Sequence, residues 1–555
     1  MRSSALKVVV MLLGALSLVQ PAPAGSAPQR DTVVIGMAQE PDILGEFSIM
    51  SAEGVIRNVL WAYVAPFNEK WVRSALMAEK LPTIKDGDWV LLPNRKMRVT
   101  WKLKRGFTWH DGKPVTALDW RFTYGMLRNP RVPQVSRFIV NKVDNILVPN
   151  LRDPYTVVVQ WNELWPFASS SPFGSDVAYP RHLLEPMYLK DPAKMKTHPY
   201  WRAPVGNGPY RFVEWVPGSH ITVEAYDRWP VGGTPKVRRI VFRFILDSTV
   251  LTANVIAGNI DGTEIGNLSI DQMVEIERRN PRVEGHYTDA LRWERIDFNL
   301  DNEWLRDKRV RQAIAYAIDR DVAVQALYKG KYRVSHSWLA PRHPAYNPNV
   351  RKYGHDPARA RQLLAEAGFT PGSDGVLRDR AGKRFEMTFM TTAGHAAREQ
   401  MQQIVKDHLR QVGIEIRIDN RPSSVFFGSI TPRRQFPHLA MYTSVFSPES
   451  TAFDRFHSTQ IPSAENNWEG NNRVGWRNAE NDRLMEQIVT EMAEAKRNAL
   501  FKRQQEIFAD DLPSLPLFFS LSLTTMDRRV RFVKPTGLSG TFIAWNAWQW
   551  LVGDQ

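Results

Sequence analysis

The stretch Leu103–Lys104–Arg105–Gly106–Phe107–Thr108–Trp109–His110–Asp111–Gly112–Lys113–Pro114–Val115–Thr116–Ala117–Leu118–Asp119 decides how this chain is read. Phe107–Trp109 and Val115 are apolar segments flanking Asp111–Gly112, a pairing that predicts a hairpin-like turn. Thr116–Ala117–Leu118–Asp119 then opens a helix that runs through Tyr124 and Leu127. Just upstream, Met97, Val99, Trp101 and Leu103 alternate with polar residues, as in a half-buried strand. His110 and Asp111 sit beside Trp109 in the turn, a placement that favours a structural role over catalysis.

Outward from this stretch, strands and helices interleave. Val33, Val34 and Ile35, between Thr32 and Gly36, predict a first strand, and Val55, Val59, Leu60 and Val64 give Ala52 to Val64 helical spacing. Val157–Val158–Val159 and Ile240, Phe242 and Phe244 predict further strands. Asp247–Ser248 caps a helix carrying Leu251, Val255 and Ile256, Gly258 stops it, and Asn259–Ile260–Asp261–Gly262 returns to the sheet. Ile296 and Phe298 predict a strand; Val310, Ile314, Ala317 and Ile318 share a helical face. Asp356–Pro357 starts a helix that Gly368 ends. Met401, Ile404, Val405, Leu409 and Val412 line another, closed by Gly413 before Ile414, Ile416 and Ile418 alternate as a strand. Two late helices carry Leu484 to Met492 and Leu500 to Phe508, and Pro513 and Pro516 bracket a return into Leu517–Phe519. Trp545, Trp548 and Trp550 read as a buried strand. This alternation predicts α/β sheets.

Composition narrows the class. The 555 residues exceed one core, and 43% hydrophobic with 24% charged residues excludes a disordered, collagen-like or polytopic membrane chain. There are no cysteines, which removes disulfides, thiolate metal sites and cysteine lipidation, and there are 19 tryptophans. The net charge of +15 is dispersed, its tightest clusters being pairs such as Arg238–Arg239 and Arg433–Arg434, so a nucleic-acid groove is not expected. Arg2, Lys7, the apolar run Val8 to Val19 and the small residues up to Ala22-x-Ala24 have the layout of a signal peptide over residues 1–24. A soluble periplasmic protein, not a lipoprotein, is the expectation. No G-x-S-x-G, H-E-x-x-H or G-x-x-x-x-G-K-[ST] pattern occurs, and no enzyme activity, cofactor or metal is assigned.

Four stretches carry a resemblance. Leu103 to Asp119 resembles the "LRxGxxFHDGxPxTAxDV" signature of the extracellular solute-binding proteins of family 5, the peptide- and nickel-type receptors of ABC importers. Gly206–Asn207–Gly208–Pro209–Tyr210 with Glu214–Trp215–Val216–Pro217–Gly218 resembles the family's "GTGPY…EWxPG", with Asn207 where threonine is usual. Ala257–Gly258–Asn259–Ile260–Asp261 is similar to "sGeiD", and Arg309 to Arg320 to "vRqAlxyAiDR". The resemblance implies an α/β, two-lobed periplasmic binding protein of type II, with a hinge and an extra subdomain in lobe one. Lobe one would comprise residues 30–60, 181–291 and 525–555, the subdomain 61–180, and lobe two 292–524. Ligand would bind between the lobes, and the closed form would meet a membrane permease; a monomer is expected.

Peptide-binding members hold the peptide's amino group with an acid in an aromatic loop of lobe two. The corresponding Met441–Tyr442–Thr443–Ser444–Val445–Phe446–Ser447–Pro448 has no acid; Glu449 follows the proline. Tyr442, Ser444 and Phe446 stand where the resemblance places ligand contacts, a pattern core packing would also give. Glu40 and Asp42 follow the first strand, where lobe one meets ligand in the family; solvated loop acids are the alternative. Asn466, Asn467 and Trp468, with Trp476 close behind, form an amide-and-indole loop suited to a polar, uncharged ligand such as an oligosaccharide or a blocked peptide. The same amides would also serve a turn that satisfies its own backbone. The expected function is therefore a periplasmic receptor for a peptide-like or sugar-like ligand. An exported carbohydrate hydrolase and a peptide chaperone are the alternatives.

Overall fold

The computed structural model describes residues 31–553 apart from 49, 134–136, 138, 266 and 267. The signal peptide expected over residues 1–24 lies outside the described residues. One sheet of eleven strands organises the chain. From one edge its strands are Glu415–Ile418, Glu386–Met390, Leu439–Val445, Val283–Phe298, Ser514–Asp527, Gly262–Thr263, Thr32–Met37, Arg239–Phe244, His220–Ala225 and Tyr210–Val216, with Arg333–Val334 paired to Ser514–Asp527.

Two strands are long because they serve both ends of this sheet. Val283–Phe298 and Ser514–Asp527 pair antiparallel from Val283↔Asp527 to Asp289↔Leu521; the register then breaks and resumes at Trp293↔Phe519. Before the break, Thr525 pairs with Thr263 of the first lobe; beyond it, Arg292 to Phe298 pair with Val445 to Leu439 of the second. A bulged register is where a strand pair bends most easily, so these crossing strands connect and hinge two lobes. Each lobe has its own core. Val33, Ile35, Val59, Ile240 and Phe242 centre the first, and Ile296, Phe298, Ile314, Phe389, Leu409 and Leu515 the second.

A separate antiparallel sheet, Trp89–Leu91, Met97–Lys102, Thr156–Trp161 and Val143–Leu147, packs Val99, Trp101, Val157 and Val159 into the first core. Helix Ala117–Arg128 starts at Thr116, whose hydroxyl accepts from Leu118 N while Asp119 accepts from Thr116 N.

The family-like stretches are knots in this fold. Asn207 N and Gly208 N both donate to Leu60 O, and a Cβ on Gly206 would lie 1.9 Å from that oxygen, so only glycine allows the approach. His110 N donates to Gly206 O and the His110 ring contacts Gly208 O at 3.1 Å, which docks the hairpin onto the same strand entry. Asp261 accepts from Val34 N and pairs with Arg529 at 2.7 Å. Arg320, buried, donates to Ser335 O, Pro516 O and Tyr353 O.

Two expectations need correction. Residues Ile543–Gln549 form a 3-10 segment, not a strand; Trp550 is buried, Trp545 nearly so, and Trp548 is partly exposed, so the indoles pack as inferred but around a turn. The expected helix from Ala52 ends at Leu60, because Leu60 O is taken by the Asn207 and Gly208 amides and the chain turns extended at Trp61.

Candidate functional site

The lobes touch. A third apolar cluster joins Trp293, Trp338, Phe446, Phe456 and Phe508 of the second lobe to Phe67, Trp71 and Leu538 of the first. Above this seam the contact becomes polar. The hairpin loop closed by the Phe67↔Arg73 bridge reaches across, and Arg73 binds Glu449 with two hydrogen bonds, 2.9 and 3.1 Å long. The same guanidinium holds Asp176 at 2.8 Å, and Ser170 Oγ donates to Glu449 at 2.5 Å. Burial by itself lowers the pKa of Arg73, but Asp176 and Glu449 more than reverse that and hold it above its usual value. Beside it, Arg342 lies 4.4 Å over the Trp71 ring and donates to Glu69 O, and Arg497 lies 4.9 Å over Phe167. Three arginine contacts thus bridge the lobes.

The wall of the second lobe follows from strand pairing. Directly opposed residues of an antiparallel pair share a face, so Trp293↔Ser444 and Arg295↔Tyr442 project together, with Asp297 next along that face. Arg295 is buried, lies 4.1 Å over the Tyr442 ring and 4.9 Å over Trp293, and is held by Asp297 at 2.8 and 3.2 Å. Burial pushes the Tyr442 phenol up to about 12, aided by Asp297 and opposed by Arg295. Ser444 Oγ accepts from Arg455 at 2.8 Å, and Arg455 lies 4.8 Å over Phe446. Phe446 itself packs on Trp293 and Trp338. Tyr442, Ser444 and Phe446 therefore share one face of their strand end and are all buried; Phe446 belongs to the apolar cluster between the lobes, whereas Tyr442 packs within the second lobe on Phe426 and Phe427.

The other sequence candidates lie elsewhere. Asn207 is 1% exposed, and its Oδ1 accepts from Ala62 N at 3.0 Å, so its side chain finishes the turn after the helix and faces no open space. Glu40 accepts from Trp215 Nε1 at 2.8 Å and from Gly218 N, within a first-lobe groove lined by Pro41, Asp42, Arg202 and Phe212. Asn466 accepts from Ser463 N and donates to Ile461 O, so its amide serves its own turn, and the exposed Asn467 is the left-handed cap residue of that turn. Trp476 is in the core, edge-on to Phe456 and Phe508, with Nε1 donating to Asp511 at 2.5 Å; it is no cleft residue. Trp468 is 38% exposed on that turn, apart from the other indoles.

Sequence reasoning missed Arg73, Arg295, Arg455 and also Arg473, whose guanidinium lies 6.0 Å from the Tyr442 ring. Each is one arginine in a strongly basic chain, and the residues they meet are up to 376 positions away. Among the described residues, no group of three or more His, Asp or Glu is arranged to hold a metal ion, and no helix is long and apolar enough to cross a membrane.

Residues 94–461 match the family model described as bacterial extracellular solute-binding proteins, family 5, middle. The oligopeptide-binding protein AppA of Bacillus subtilis is 26% identical over 506 residues, covering 89% of this chain and 87% of that protein. Its structure with a nonapeptide superposes with a TM-score of 0.77 at 24% identity, covering 94% and 99% of the two chains. The oligopeptide-binding protein of Thermus thermophilus, solved with a pentapeptide, gives 0.78 at 29% identity, covering 94% and 96%.

Proposed function

The chain belongs to the bacterial extracellular solute-binding proteins of family 5, and from that premise we propose that it captures an oligopeptide between its lobes and presents the closed form to an ABC-transporter permease outside the cytoplasmic membrane. The observation that carries this reading is the bridge Arg73–Glu449, with Asp176 and Ser170, lying over the apolar seam of Trp71, Trp293 and Phe446. A ligand bound there touches both lobes at once. Only such shared contacts give a higher affinity for the closed state, and differential affinity is what shifts a hinge equilibrium. The names of the relatives, both oligopeptide-binding proteins, support the ligand class.

Binding residues are proposed on the second-lobe face: Tyr442, Ser444 and Phe446, with Arg73 and Trp71 facing them. Asn207, Asn466 and Trp476 are left out because their polar atoms are already satisfied within the fold, and Asn467 because it caps the same turn as Asn466 in the left-handed conformation. The oligosaccharide and hydrolase readings rested on that amide-and-indole loop and lose their support with it.

The test is a melting-temperature screen against peptide pools three to nine residues long, followed by small-angle scattering on the stabilised sample. A ligand at a hundredfold excess over its Kd adds about 2.7 kcal/mol. We expect stabilisation by some pool together with a smaller radius of gyration. Stabilisation by none would refute an oligopeptide ligand.

A further inference from the structure

The face carrying Tyr442 and Ser444 holds more positive charge than it neutralises. Three guanidinium groups gather there. Arg295 is paired to Asp297, which also accepts from Ser514 Oγ at 2.7 Å, so that charge is cancelled locally. Arg455 and Arg473 are not cancelled. Arg455 donates to Ser444 Oγ and to Val445 O; Arg473 lies 6.0 Å from the Tyr442 ring and donates to Thr431 Oγ1 at 2.9 Å. All these acceptors are neutral. Among the described residues, neither arginine makes an ion pair with a carboxylate, and Arg473 Nε is buried without a hydrogen-bond partner. Asp454, which precedes Arg455 in the chain, accepts from the Asn471 amide at 2.8 Å.

Half-burying two like charges side by side without an ion-paired anion is costly: burial is the largest influence on Arg455 and lowers its pKa, and Arg295 and Arg473 lower it further against the opposing pull of Asp454. A planar guanidinium with unused N–H donors matches a carboxylate oxygen pair better than any neutral partner. We propose that Arg455 and Arg473 bind a carboxylate of the ligand on the Tyr442–Ser444 face, so that this receptor selects anionic ligands. The proposal rests on the reading that this face lines the ligand cleft, and it names the ligand's chemistry. In a peptide the carboxylate is the free C-terminus or an acidic side chain.

The alternative is that Arg455 only clamps the strand end through Ser444 and Val445. Isothermal titration of the full chain separates the two. The probes are an alanine pentapeptide with a free C-terminus, its C-terminal amide, and that amide with one internal glutamate or, as isostere, glutamine. We expect a carboxylate-bearing probe to bind about 10- to 100-fold tighter than its neutral counterpart, and the probe that gains identifies the source. Arg455→Gln and Arg473→Gln should close that gap, costing the carboxylate-bearing probe at least tenfold more than its neutral counterpart, and Arg455→Lys should retain part of it. Equal binding of neutral and anionic probes by the unmodified protein would overturn the proposal. So would variants that weaken every probe alike, the signature of a purely structural clamp. If no peptide binds, the oligopeptide reading fails separately. Citrate then serves as probe: a melting-temperature rise lost in Arg455→Gln upholds the carboxylate site, and no rise overturns it.

Discussion

Glu449→Gln isolates one of the contacts that join the lobes. It keeps the side chain's shape and removes its charge. The glutamate accepts two hydrogen bonds from Arg73 and one from Ser170, and the Arg73 and Glu449 side chains are 14% and 19% exposed. A hydrogen bond to a charged group is worth about 1.5–3 kcal/mol when fully protected. Here Arg73 keeps Asp176 as a second anion, and residual solvent screens the pair. The loss should therefore be about 1–2 kcal/mol, confined to the closed state, since the contact spans the lobes. That corresponds to roughly a 5- to 30-fold weaker ligand affinity and a matching loss of closed molecules. The absence of cysteine makes the assay direct: Lys85→Cys and Asp407→Cys, both exposed and on different lobes, give two labelling sites for single-molecule energy transfer. An unchanged distance distribution and unchanged peptide Kd in Glu449→Gln would refute the bridge as a closure contact.

Four further outcomes follow from the fold. Burial pushes the Glu53 carboxyl up to about 7 against the opposing pull of Arg57. Its folded pKa lies above the unfolded value near 4.5, so the favourable protonated form is lost as pH rises from about 5 to 8; Glu53→Gln should flatten that decline by about 1–3 kcal/mol in urea titrations. Gly208→Ala should cost about 3 kcal/mol or prevent folding, since a Cβ there would sit 2.4 Å from Val59 O; full stability in urea unfolding would contradict the close approach. Free dipeptides should bind at least tenfold more weakly than a pentapeptide, because Glu449 is engaged by Arg73 and the strand end before it has no acid, and Trp468→Ala should leave peptide titrations unchanged.

Much of the fold was legible because its signals are local. Asp111–Gly112 turned where a turn was expected, Thr116 capped the following helix, and Gly258, Gly368 and Gly413 ended or followed helices with positive φ. These are short-range steric and hydrogen-bonding preferences, written within a few residues of where they act. The tryptophans divided as a hydrophobic core demands, with Trp101, Trp109 and Trp120 fully buried. The site was less legible. The loop Asn466 to Trp468 carries amides and an indole that suit a binding surface; an amide can equally close its own turn, and that of Asn466 does.

By itself, the sequence determined an α/β chain with motifs resembling family 5 and the positions of most helices and strands. It also identified Tyr442, Ser444 and Phe446 as an edge worth watching. Only the tertiary structure decided that Arg73 closes on Glu449 and that Arg295, Arg455 and Arg473 surround that edge. The reason is physical. Secondary structure depends on neighbours in sequence, whereas the electrostatics of a cleft depend on which charges the crossing strands and distant loops bring within a few ångströms. No local pattern encodes that meeting.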